Sequence, residues 1–130
     1  MLHRGRPREA IDLLECARPY EMGMFDGLMS TYVRGQAYHA LGRYQEAAGE
    51  YERIVSYRRL LTFSTSMFPE LYPLAHVRLA RARAMSGDAA GARQSYEKFF
   101  DLWKNADTDI PILIAARREY AKLVAGSPLR

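Results

Sequence analysis

TYVRGQAYHALGRYQEAAGEYERIV, residues 31–55, and HVRLARARAMSGDAAGARQSYEKFF, residues 76–100, are one pattern written twice. Placing Gly42 on Gly87 sets an offset of 87 − 42 = 45 residues. Gly35 then meets Ala80, Ala47 meets Ala92, Tyr51 meets Tyr96 and Ile54 meets Phe99. Small residues fall on small and large on large, so the same packing problem is solved twice. A weaker third copy, GRPREAIDLLECA, opens the chain at residues 5–17. Gly5, Ala10, Leu14 and Ala17 occupy the places of Gly42, Ala47, Tyr51 and Ile54. Only the second half of the unit is written there.

The spacing within each copy is helical. Tyr44, Ala47, Ala48, Tyr51, Ile54 and Val55 recur every three or four residues, as do Ala89, Ala92, Tyr96, Phe99, Phe100 and Trp103, and as do Ala10, Ile11, Leu14 and Ala17. That is the buried stripe of an amphipathic helix. No alternation of period two persists, so no strand is expected. Each glycine stands where a helix must end and the chain reverse, a place for a residue that tolerates positive φ. The reading predicts helices over roughly 7–18, 26–41, 44–60, 70–86, 89–104 and 110–124.

The last helix is framed by Asp107, Thr108 and Asp109 as capping residues, Pro111 in its first turn, and Gly126 and Pro128 as its stop. Leu113, Ala116, Tyr120, Leu123 and Val124 are its predicted buried stripe, with Arg117, Arg118 and Lys122 facing water. Residues 60–72 interrupt the spacing and are apolar for a linker, which predicts that they pack against a helix.

The residues at Gly35, Tyr38, Gly42, Tyr44, Ala47 and Tyr51, and again at Leu79, Ala80, Gly87, Ala92 and Tyr96, resemble the tetratricopeptide repeat. The departures are Thr31 and His76 in place of tryptophan, Arg34 in place of leucine, Arg83 in place of tyrosine, and Arg59 and Lys104 where proline is common. The resemblance implies an all-α fold, a right-handed superhelix of antiparallel helical hairpins. Its parts would be a half repeat at 7–18, repeats at 26–60 and 70–104, and a capping helix at 110–124, in a single domain over 1–130. A narrower likeness, carried by LWKNADTDIPIL at residues 102–113, is to the C-terminal repeats of acidobacterial serine/threonine protein kinases and related winged-helix regulators. It implies a signalling protein whose catalytic or DNA-binding part lies upstream.

Repeats of this kind present a groove lined by the first helix of each pair. Carried over by position, the lining is Met29, Tyr32, Gln36 and His39 from one unit, and Leu74, Val77, Arg81 and Met85 from the next. Methionine and tyrosine would give adaptable apolar contact, and Gln36 and Arg81 would hold a peptide backbone or acidic side chain. Tyr32 and Leu74 do not supply the lysine and asparagine of the family's peptide-carboxylate clamps. That speaks against a receptor for chaperone tails, and the partner that the resemblance implies is a protein or peptide. Self-association is the alternative, through a helix at 7–18 that lacks its partner.

Composition narrows the rest. The 130 residues are 48% hydrophobic and 26% charged, a globular balance. No apolar run is long enough to span a membrane, and no apolar segment follows the basic N-terminal residues, which argues against a signal peptide. The side of a membrane on which the segment works is left open. The net charge of +4 is spread along the helices rather than gathered on one face, which speaks against nucleic acid. Cys16 is the single cysteine and is expected to be a small buried apolar side chain. His3, His39 and His76 show no metal spacing. Ser64, Thr65 and Ser66 read as turn residues. Glu50 and Glu52 are expected on a solvated face. No phosphate loop or kinase catalytic motif occurs, and no nucleophile, base and orienting group assemble. No catalytic residue, metal or cofactor is expected.

Overall fold

The computed structural model describes residues 5–20, 27–56 and 71–126. Within them lie α1 (Pro7–Ala17) with a short 3-10 turn (Arg18–Tyr20), α2 (Gly27–Ala40), α3 (Tyr44–Ser56), α4 (Leu71–Met85), α5 (Ala89–Leu102) and α6 (Pro111–Val124). There is no strand among the described residues. Residues 60–70 of the expected 60–72 segment and the end of the second helix at 57–60, with Ser64, Thr65, Ser66 and Arg59, fall outside them, as does His3, whereas Leu71 and Tyr72 open α4.

The two glycine turns share one geometry. Gly42 has φ +74° and Gly87 has φ +93°. At each, the next amide reaches back five residues: Arg43 N donates to the Tyr38 carbonyl at 2.9 Å, and Asp88 N to the Arg83 carbonyl at 2.8 Å. This closes the helix on its own carbonyls, and only glycine enters the left-handed region without a Cβ penalty. The following helix starts at once. Asp88 caps α5 by accepting from Gly91 N at 3.0 Å.

The hairpins pack in chain order: α2 on α3, α3 on α4, α4 on α5, with α1 against α2 and α6 against α5. Gly35 lets α2 and α3 approach, because its hydrogen faces the Tyr51 ring. One core gathers Ala10, Ile11, Tyr32, Ala37, Ala47, Tyr51, Ile54 and Leu79; a second gathers Val77, Ala80, Tyr96, Phe99, Leu113 and Ala116. Leu74 packs against both. Each buried large side chain contributes about 1.5–3 kcal/mol against exposure.

Four expectations are corrected. Cys16 is exposed, its Sγ directed at the Asp12 carbonyl 3.6 Å away, because it falls on the side of α1 turned from α2. Asp107, Thr108 and Asp109 do not cap α6. Ile110 is the capping residue, with no side-chain bond, since Pro111 forces the residue before it into extended backbone. Val124 and Ala89 are exposed rather than on their helices' buried stripes.

The fourth concerns Glu50, which is buried, although Glu52 is exposed as expected. Glu50 meets Arg34, which stands at a leucine place of the repeat and has no exposed side-chain surface. Arg34 Nη1 donates to Glu50 Oε2 at 3.1 Å and Nη2 to the Leu14 carbonyl at 2.7 Å. Arg18 Nη2 donates to Glu50 Oε1 at 2.9 Å and to Glu15 Oε1 at 2.6 Å. The Arg18 hydrogen bond holds Glu15 below the usual carboxylate range. Two arginines and two glutamates thus tie the half-unit to the first hairpin, where a buried charge without a partner would be costly.

Candidate protein-binding face

The first helices of the two hairpins, α2 and α4, touch at Tyr32 and Arg78. Arg78 Nε donates to the Tyr32 hydroxyl at 3.3 Å. Tyr32 is almost fully buried, its ring edge-on to Tyr51 with centroids 5.7 Å apart. Gln36 and His39 follow at helical spacing and are half-buried. His39 lies edge-on to Tyr44 at 5.0 Å. Burial holds the His39 imidazole below its ordinary pKa, and the charges of Arg78 and Arg81 push it the same way. Neutral histidine and two guanidiniums therefore share one neighbourhood.

On α4 the structure sorts the expected lining. Val77 is fully buried in the second core and presents nothing to a ligand, whereas Leu74 and Met85 are half-buried. Met29 on α2 is likewise half-buried, packed on the first core. Arg81 is held by α6: its Nε lies 2.9 and 3.1 Å from the two Glu119 carboxylate oxygens. The Tyr96 hydroxyl donates to the same carboxylate at 2.8 Å. Arg78 is absent from the lining that the sequence predicts. It is half-buried and pairs with no carboxylate among the described residues. The missing signal is one of phase: Val77 and Arg78 lie three and four residues beyond Leu74, both permitted by a helical stripe, and periodicity does not choose between them.

The Tyr51 hydroxyl, at the repeat place of Tyr96, is buried without a hydrogen-bond partner among the described residues. Burial pushes its phenol above the ordinary range, and Arg78 and Arg81 partly offset this. The two units solve the same tyrosine differently because only the second has an acidic residue on the following helix within reach.

Among the described residues no group of three or more histidine, cysteine, aspartate or glutamate side chains could hold a metal ion, and no helix is long and apolar enough to cross a membrane.

The tetratricopeptide repeat family model matches residues 28–53, spanning α2 and most of α3, and residues 73–98, spanning most of α4 and α5. Comparisons with curated proteins and with solved structures gave no match. Together with the paired left-handed glycine turns, the two matches show that the chain carries an all-α, tetratricopeptide-like helical repeat fold.

Proposed function

We propose that the chain is a non-catalytic scaffold module that takes an acidic peptide segment of a protein partner along the α2–α4 face, with Arg78 as its anchor. Tetratricopeptide repeats generally mediate protein–protein interaction, and such domains are typically without catalysis of their own. The observation that carries the finer reading is Arg78: a half-buried guanidinium with no carboxylate opposite it among the described residues, beside a histidine whose protonation is disfavoured. A partner's aspartate or glutamate supplies the missing charge. Gln36 offers an amide to the peptide backbone, and Met29, Leu74 and Met85 offer apolar contact. Arg81 contributes positive potential, while its hydrogen bonds go to Glu119.

The test is fluorescence anisotropy with an acidic peptide library and its charge-neutral counterparts. Acidic members are expected to bind, more weakly as salt rises. R78A lowers affinity about ten-fold or more, and Q36A by less, with helicity unchanged. Equal binding of neutral and acidic peptides, or full affinity in R78A, sinks this reading. A larger signalling protein such as a serine/threonine kinase is proposed as the setting on the strength of the resemblance whose most specific piece is residues 102–113. The full reading frame tests it: a kinase or winged-helix region upstream supports the setting, and an unrelated one removes it.

A further inference from the structure

Arg81 and Gln36 hold the same place in successive units, since 81 − 45 = 36. Gln36 is half-buried and its amide makes no hydrogen bond among the described residues, so the fold leaves this place open in the first unit. In the second unit it is taken. Arg81 Nε lies 3.1 and 2.9 Å from Glu119 Oε1 and Oε2. The two side chains are 21% and 27% exposed, so water reaches the pair and it can exchange partners. The Nη groups of Arg81 have no partner among the described residues. Arg78, one helical turn earlier, likewise uses only Nε, on the Tyr32 hydroxyl at 3.3 Å. The greater part of each guanidinium fork is therefore unused.

The two cations are drawn apart, Arg78 towards α2 by Tyr32 and Arg81 towards α6 by Glu119. Both charges nonetheless act on His39 of α2 and on Tyr51 of α3, so both belong to the α2–α4 face. Docking of α6 does not require the Arg81 pair. Leu113 and Ala116 bury that helix in the second core. The Tyr120 ring stands edge-on to Phe100 with centroids 5.5 Å apart, and its hydroxyl donates to Glu97 at 3.0 Å.

We propose that Glu119 is an internal competitor for the acidic ligand, occupying Arg81 and so limiting the α2–α4 face to a single acidic anchor at Arg78. The inference rests on the acidic-peptide reading of that face and adds what sets its specificity. Two arginines and one glutamate leave one net positive charge there, which the first ligand carboxylate cancels. A second carboxylate only exchanges one ion pair for another. With Glu119 neutralised, the same carboxylate makes a new pair. Residues 78 and 81 are separated by a rise of about 4.5 Å along α4. Alternate side chains of an extended peptide leave one face about 6.6 Å apart. Arginine stems span that difference, so the two-anchor ligand is an extended segment with acidic residues at alternate positions.

Fluorescence anisotropy at neutral pH tests it with two labelled glycine–serine peptides, one with Asp-Gly-Asp at its centre and the other with Asp-Gly-Asn. The wild type is expected to bind them within about two-fold of each other. E119Q is expected to bind the Asp-Gly-Asp peptide about ten-fold more tightly than the other. It keeps an oxygen for the Tyr96 hydroxyl, and circular dichroism checks its helices. E119A, a second variant, is expected to show the same preference. R81Q/E119Q loses the preference, and R78A/E119Q recovers binding that R78A lacks. Binding by the Glu119 variants alone also supports the competitor. A wild type that already prefers the Asp-Gly-Asp peptide ten-fold, Glu119 variants without a preference, or a preference that survives in R81Q/E119Q overturns it and leaves the Arg78 reading standing. No binding of either peptide by the wild type and both Glu119 variants removes the two together.

Discussion

The Tyr51 ring occupies the space that a side chain on residue 35 would need: a Cβ built on Gly35 falls 2.7 Å from Tyr51 Cε1. Tyr51 is fully buried among α2, α3 and α4 and has nowhere to retreat. Gly35→Ala is therefore expected to destabilise the protein by about 1–3 kcal/mol, the range for overpacking. Thermal or urea unfolding reads it.

Gly49 predicts the opposite sign. It lies on the exposed side of α3, with open space where a Cβ would stand and ordinary helical backbone. Gly49→Ala is expected to stabilise by about 0.5–1 kcal/mol through helix propensity and lower unfolded-state entropy. The pair of glycines separates a packing role from its absence within one hairpin.

Tyr51 and Tyr96 make a second matched pair. Removing the Tyr51 hydroxyl takes away a buried group that has no hydrogen-bond partner among the described residues, so Tyr51→Phe is expected to be neutral or stabilising by about 1 kcal/mol. Tyr96→Phe removes a donor from Glu119 and is expected to cost about 1 kcal/mol. Amide hydrogen exchange locates that loss in α6, which the Tyr96 and Arg81 bonds to Glu119 hold in place.

Breaking the buried ion network by Glu50→Ala leaves Arg34 buried with diminished compensation, and is expected to cost about 3 kcal/mol or more. The double variant R34L/E50L replaces both charges with apolar groups and restores leucine at the repeat place. It is expected to lose far less, because Arg18 and Glu15 still satisfy each other. Denaturant titration of the two variants checks the difference.

His39 gives acid sensitivity of a defined sign. Its folded pKa lies below the ordinary 6.5, so between that folded value and 6.5 the unfolded chain binds more protons. Its contribution to stability is complete above about 6.5 and falls as the pH drops through that window. A histidine NMR titration is expected to place the midpoint below 6.5. Arg78→Ala is expected to move it upward by removing a nearby cation, and an unchanged midpoint would mean that burial alone sets it.

The glycine, alanine and aromatic recurrence determined the helical hairpins, their turn points and the half-unit at the start, because these depend on local backbone conformation and on a period that a linear chain displays. Tertiary structure alone decided what fills the long-range contacts. Along the chain, Arg34 at a leucine place and Glu50 among exposed neighbours are two unrelated anomalies; folded, each is the other's buried counter-charge, sixteen residues apart. Val77 and Arg78 are equivalent under helical periodicity until α5 and α6 cover one and α2 meets the other. Arg81 reads as free to hold a ligand, and Glu119, thirty-eight residues on, takes it. A repeat pattern specifies which side of a helix faces its hairpin partner, whereas the pairing of charges across hairpins depends on which side chains the stacking brings within a few ångströms.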